Sequence, residues 1–120
     1  MKTIKVKVNG ETWEIETEIH SFNKTFAECE KECPKGWEIP TYFLLQSLRN
    51  DILYCKLLNL KNTWEFVQNP DLISKRNDYV VWFNAYSGRA DLVCYGVPTV
   101  TDSSLGVRFC RDLKGRGMKK

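Results

Sequence analysis

Five cysteines and one histidine carry most of the reactive chemistry in this chain: Cys29, Cys33, Cys55, Cys94, Cys110 and His20. An odd number of cysteines at irregular spacing, with no CxxC pair, is neither a closed disulfide framework nor a redox motif. A structural zinc site needs four cysteine or histidine ligands, usually in closely spaced pairs, and none is expected here. Cys29 and Cys33 stand four apart, so on a helix they share a face, and two small core residues account for that spacing. Cys94, between Val93 and Tyr95, reads as an inward-facing core residue. General acids and bases are scarce, because the one histidine lies at a strand end. No catalytic residue, cofactor or metal is expected.

The elements that must position these residues are legible from periodicity. Residues 2–8 and 11–19 alternate apolar and polar with period two. Asn9-Gly10 lies between them, as a two-residue hairpin turn with positive φ at both positions requires. Lysines on one strand face glutamates on the other, which favours cross-strand pairing. Residues 21–33 change to helical period: Thr25 and Glu28 form a capping box, and Phe22, Phe26, Cys29 and Cys33 line one stripe. Pro34-Lys35-Gly36 ends that helix. Thr41 caps a second helix, from Tyr42 to about Leu53, whose wide apolar stripe predicts that it lies across a sheet. Residues 54–63 are ambiguous. Strands are expected at Thr63–Val67, Tyr79–Tyr86, Asp91–Tyr95 and Leu105–Cys110, punctuated by Gly88, Gly96 and Pro98. The order of hairpin, two helices and short strands implies an α+β domain whose antiparallel sheet is closed by the last strand.

Composition bounds the function. The chain has 120 residues, 42% hydrophobic and 28% charged, enough for one domain that folds without a metal or disulfide lattice. A single domain over 1–113 with a flexible basic tail over 114–120 is expected. Of the net +3 charge, residues 108–120 contribute +5 from six basic residues and one acidic one. A nucleic-acid binder spreads basic charge over a folded face, so nucleic acid is not an expected partner. No apolar run reaches membrane-spanning length, and Met1-Lys2-Thr3-Ile4-Lys5 opens a strand and not a signal peptide. Membrane insertion is not expected, and the compartment is open.

Two segments carry a resemblance. Gly36-Trp37-Glu38-Ile39-Pro40-Thr41 between two helices is similar to the "GWRLPT" junction of C-type lectin-like folds, including formylglycine-generating enzymes. Leu105-Gly106-Val107-Arg108-Phe109-Cys110-Arg111-Asp112 resembles the closing strand of the same group. In many such domains a disulfide ties the first helix to the final strand. The resemblance therefore implies Cys33, or alternatively Cys29, bonded to Cys110. Calcium-dependent sugar binding would need six to eight clustered oxygens. The expected Glu-Pro-Asn or Gln-Pro-Asp and Trp-Asn-Asp runs are missing, so calcium is not an expected ligand. Formylglycine-generating oxidases hold copper with a cysteine pair on late strands. Cys94 and Cys110 are late, but the surrounding motifs are absent and the chain is under half the usual size.

Lys, Glu, Gln, Met and Trp together number 29 in the chain, yet none of the 31 residues from Phe83 to Leu113 is one of them. Asn84, Arg89, Asp91, Thr99, Thr101, Asp102, Ser103 and Ser104 show that the gap is not simply apolar burial. These five types are the ones that randomising the adenines of an AAC or AAT codon cannot produce. The chain thereby resembles the variable protein of a diversity-generating retroelement, in which a C-type lectin-like scaffold carries a diversified C-terminal segment. The resemblance implies a non-catalytic, receptor-type module with an unidentified ligand, expected to be a protein. Trp37, Trp64 and Trp82 are assigned to the core with the hairpin and helices. Strand alternation sets Trp82, Asn84 and Tyr86 against Phe83 and Ala85, and Asp91, Val93 and Tyr95 against Leu92 and Cys94. The ligand surface is assigned to Asn84, Tyr86, Arg89, Asp91, Tyr95, Thr99 and Asp102, a mix of aromatic area and adaptable hydrogen-bonding groups. The alternatives are a small enzyme related to formylglycine-generating oxidases and an undiversified viral interaction domain of the same fold.

Overall fold

The computed structural model describes residues 2–61, 63–68, 80–86, 89–96 and 101–113. Along 80–86 and 89–96 it describes backbone and pairing, and the side chain of Phe83. Seven strands and three helices are present among these residues: β1 (Thr3–Val8), β2 (Glu11–Glu16), α1 (Phe26–Glu32), α2 (Tyr42–Arg49), α3 (Ile52–Leu57), β3 (Thr63–Val67), β4 (Val80–Tyr86), β5 (Arg89–Gly96), β6 (Leu105–Gly106) and β7 (Cys110–Asp112). The fold is a small α+β domain.

The hairpin forms as expected, with Asn9 at φ 51 and Gly10 at φ 80. Its register sets Lys5 opposite Glu14 and Val6 opposite Trp13. Thr25 caps α1 by accepting from the Glu28 amide, and Glu28 returns the bond to the Thr25 amide. The expected second helix is two. Asp51 adopts an extended conformation, and its carboxylate accepts from the Tyr54 amide at 3.0 Å, so the chain stops after Arg49 and restarts. A capping side chain at that position outweighs continuous apolar periodicity. The ambiguous residues after Leu53 therefore begin as helix.

The expected strand Leu105–Cys110 is also divided, and its two parts join different sheets. One sheet has the order β1-β2-β7, the other β5-β4-β3-β6. β6 runs parallel to β3, pairing Leu105 with Trp64, whereas antiparallel pairing was expected throughout. Between β6 and β7, residues 107–109 lie along 16–20: Val107 and His20 exchange backbone bonds of 2.9 and 2.8 Å, and the Glu16 amide donates to the Phe109 carbonyl. Gly106 sits where a Cβ would stand 2.5 Å from the His20 carbonyl oxygen, so the close crossing requires glycine.

Arg108 occupies the middle of this crossing and is fully buried with Glu65, each side chain at 0% exposure. Its Nε donates to Glu65 Oε1 at 2.7 Å and one Nη to Oε2 at 3.1 Å. The remaining donors reach the carbonyls of Leu58 and Glu16. One guanidinium thus links the closing segment to β2, β3 and the end of α3. Two apolar clusters flank it. Val6, Ile15, Leu44, Leu45, Leu48, Leu58, Val67 and Phe83 form one, and Cys29, Ile39, Phe66, Leu105, Val107 and Phe109 the other. No helix among the described residues is long and apolar enough to cross a membrane.

Candidate functional site

The four-stranded sheet has an inner face and an outer face. Thr63, Glu65 and Val67 are buried on the inner side with Phe83, whose ring meets Tyr42 of α2 at 5.8 Å between centroids. Directly opposed residues of an antiparallel pair share a face. Trp64 opposes Asn84, Phe66 opposes Trp82, Asn84 opposes Asp91 and Tyr86 opposes Arg89. Asn84, Tyr86, Arg89 and Asp91 therefore belong to the face opposite Phe83. That face is covered at one end, where Phe66 packs edge-to-face against Phe26 of α1. At Trp64 it is open, and the indole is 42% exposed.

Trp64 thus corrects its assignment to the core. It stands in a row running Leu105, Trp64, Asn84, Asp91 across β6, β3, β4 and β5. The alternation in Thr63-Trp64-Glu65-Phe66-Val67 held the signal. Recognising it required knowing that Glu65, and not its neighbours, faces inward to meet Arg108.

The remaining assigned residues separate. Trp82 to Val93 is two residues from the Val80–Gly96 pair along β4 but three along β5, so β5 carries one extra residue between Val93 and Gly96. A bulge of this kind interrupts alternation. The grouping of Tyr95 with Asp91 and Val93 by simple parity does not carry across it. Thr99 lies outside the described residues. Asp102 is exposed in the turn before β6, one strand from Trp64. Its carboxylate accepts from the Ser104 amide at 2.7 Å and its carbonyl from the amides of Asn23 and Leu105, so this residue also shapes the turn.

Four thiols are described, and they are disposed for packing; the side chain of Cys94, expected to face the core, lies outside the described residues. Cys29, Cys33, Cys55 and Cys110 are free in this structure, so the Cys33–Cys110 bond and its Cys29 alternative are not formed in it. Burial pushes the Cys29 thiol up to about 11 and Cys110 still further, while Cys33, half-buried, is raised by burial and by the carboxylates of Glu38, Glu16 and Glu30. A thiol held protonated is a poor nucleophile and metal ligand. Cys33 opens on a cleft of about 560 Å³ with Phe26 and Trp37, whose ring carries the Arg111 guanidinium at 4.7 Å.

His20 is bound on both sides, to Glu16 at 2.7 Å and to Ser21 Oγ at 2.8 Å. Ser21 Oγ donates to Glu32, which also pairs with Lys24, and Glu16 accepts from the Phe109 amide. With the serine proton directed to Glu32, this chain of bonds ties the 16–24 segment to α1 and to the closing strand. Among the described residues no three His, Cys, Asp or Glu side chains converge as a metal site requires.

No protein family, curated protein or solved structure matches the chain.

Proposed function

We propose that this chain is a non-catalytic, receptor-type binding module of C-type lectin-like architecture, and that its Phe83–Leu113 segment displays interchangeable side chains as the variable protein of a diversity-generating retroelement does. The observation that carries the reading is the register that gathers Asn84, Tyr86, Arg89 and Asp91 on the face opposite Phe83, beside the half-exposed Trp64. Trp64 is a fixed aromatic anchor in this scheme, since it precedes the segment that lacks Lys, Glu, Gln, Met and Trp. Large rigid rings surrounded by small polar groups suit a protein ligand.

The scaffold supports the reading from a second direction. The junction residue Glu38 exchanges both backbone bonds with Cys110 at 2.8 Å, so the two segments that carry the lectin-like resemblance are hydrogen-bonded to each other. Among the described side chains, the core clusters draw on the hairpin, the helices, β3, Phe83 and residues 105–110.

The experiment replaces Asn84, Tyr86, Arg89 and Asp91 together, for example with Ser, Asp, Ser and Tyr. Surface changes away from caps and buried networks cost within about 0.5 kcal/mol each. The expected result is a Tm within about 5 °C of the parent with loss of binding to a ligand selected on the parent. Cooperative unfolding would overturn the reading. In the genome, a near-copy of the codons for residues 79–112, differing mainly at adenines and lying beside a reverse transcriptase, is the expected neighbour.

A further inference from the structure

Where α2 gives way to α3, the side chains of Arg49, Lys56, Lys61, Asn50 and Asn59 line a cleft of about 620 Å³, with Ile52 and Cys55 as its apolar wall. Three cations and two carboxamides converge there, and no carboxylate is among the described lining residues. Asp51, the acid within the same stretch, directs its carboxylate to the Tyr54 amide. Asn59 adopts φ 54, and the Leu60 and Asn59 amides close back onto the carbonyls of Cys55 and Lys56. That tight reversal brings Lys56, Asn59 and Lys61 to one mouth.

Arg49, half-buried at the end of α2, contributes its guanidinium to the same cleft. A guanidinium fork with two ammonium groups matches a multiply charged oxyanion better than a single carboxylate, because it offers more donors than two oxygens can use. The cleft exceeds the size of an isolated phosphate, and its apolar wall suits the body of an ester.

We propose that this cleft is a binding site for a phosphate-type group carried on a larger molecule, with the Arg49 guanidinium as donor and Lys56 and Lys61 as its counter-charges. A soluble phosphate ester and the headgroup of an anionic lipid share this chemistry. They differ at Ile52, which is 90% exposed and would enter a bilayer in the lipid case.

The test is a titration of the full chain with inorganic pyrophosphate at constant ionic strength, followed by NMR on the Arg49 Nε–H and the Asn50 and Asn59 side-chain amides. The expected result is a saturable shift of all three. Arg49→Gln weakens affinity by at least about tenfold and Lys61→Ala by several-fold, the loss of charge-assisted bonds. Lys35→Ala, in the exposed turn after α1, leaves affinity unchanged. A parallel arm uses phosphatidylglycerol vesicles against phosphatidylcholine vesicles. Binding to the former that is lost in both Arg49→Gln and Ile52→Ser identifies the lipid source; pyrophosphate binding without it identifies the soluble one. A non-saturating drift equal in parent and Lys61→Ala, or vesicle binding indifferent to Arg49, overturns the proposal, as does silence of the Arg49 resonance toward both probes.

Discussion

Replacing Glu65 with leucine removes the one carboxylate that, among the described residues, pairs with the buried Arg108 guanidinium, and the consequence can be worked from the geometry. Both side chains are at 0% exposure, joined by bonds of 2.7 and 3.1 Å, and Arg108 also supplies the Leu58 and Glu16 carbonyls. Breaking one partner of such a pair leaves an uncompensated charge and costs about 3–5 kcal/mol. For a domain of this size that is a Tm loss on the order of 10–25 °C, and a large part of a typical stability of roughly 5–15 kcal/mol. Adding Arg108→Met to Glu65→Leu removes the stranded charge. The cost that remains is two carbonyls without their donor, so the double variant is expected to be more stable than Glu65→Leu alone. Arg108→Lys is expected to fail as a substitute, because an ammonium cannot form the paired bonds. Urea unfolding followed by tryptophan fluorescence measures these three variants together with Arg108→Met alone. Strict additivity of the two single changes, or a Glu65→Leu cost under about 1 kcal/mol, would refute the assignment of a coupled buried pair.

Gly106→Ala drives a Cβ to 2.5 Å from the His20 carbonyl and into the Phe22 ring; a loss of about 1–3 kcal/mol is expected by denaturant unfolding. Alkylation at pH 8 with peptide mapping should label Cys33 well before Cys29 or Cys110, whose thiols burial keeps protonated and covered; comparable rates would show that the α1 region opens readily. Glu14 is held below the ordinary carboxyl value of 4.5 by its bonds from Thr3 and Arg111, and Glu32 by those from Lys24 and Ser21. Their contribution to stability is full above about pH 4.5 and is lost as pH falls through their lowered folded values. Unfolding curves between pH 7 and pH 3 should show this decline, and a double Glu14→Gln, Glu32→Gln variant should flatten it.

The hairpin and the α1 cap were legible because their signals are local: Asn9-Gly10 needs only its own backbone, and Thr25 with Glu28 only one helical turn. The break at Asn50-Asp51 is also local, but it was masked by an apolar stripe that continues through it. What lay beyond local signals was long-range. Nothing adjacent to Glu65 or Arg108 marks them as buried, since each is tolerable inside only because the other, 43 residues away, is there too. The exposure of Trp64 follows from that pair, because turning Glu65 inward turns its neighbour out. The outer-face grouping of Asn84, Tyr86, Arg89 and Asp91 follows from period-two alternation, whereas the extra residue in β5 is invisible to it.

The crossing of residues 105–112 from one sheet to the other also governs the order of events on the ribosome. β6 completes the pairing of one sheet and β7 that of the other, so neither can finish until that stretch has emerged from the exit tunnel. Nascent chains stalled upstream of Leu105 would hold helices and a hairpin with open strand edges, a state prone to association and in need of chaperone cover. Emergence of residues 105–112 then becomes the event that commits the polypeptide to its native topology.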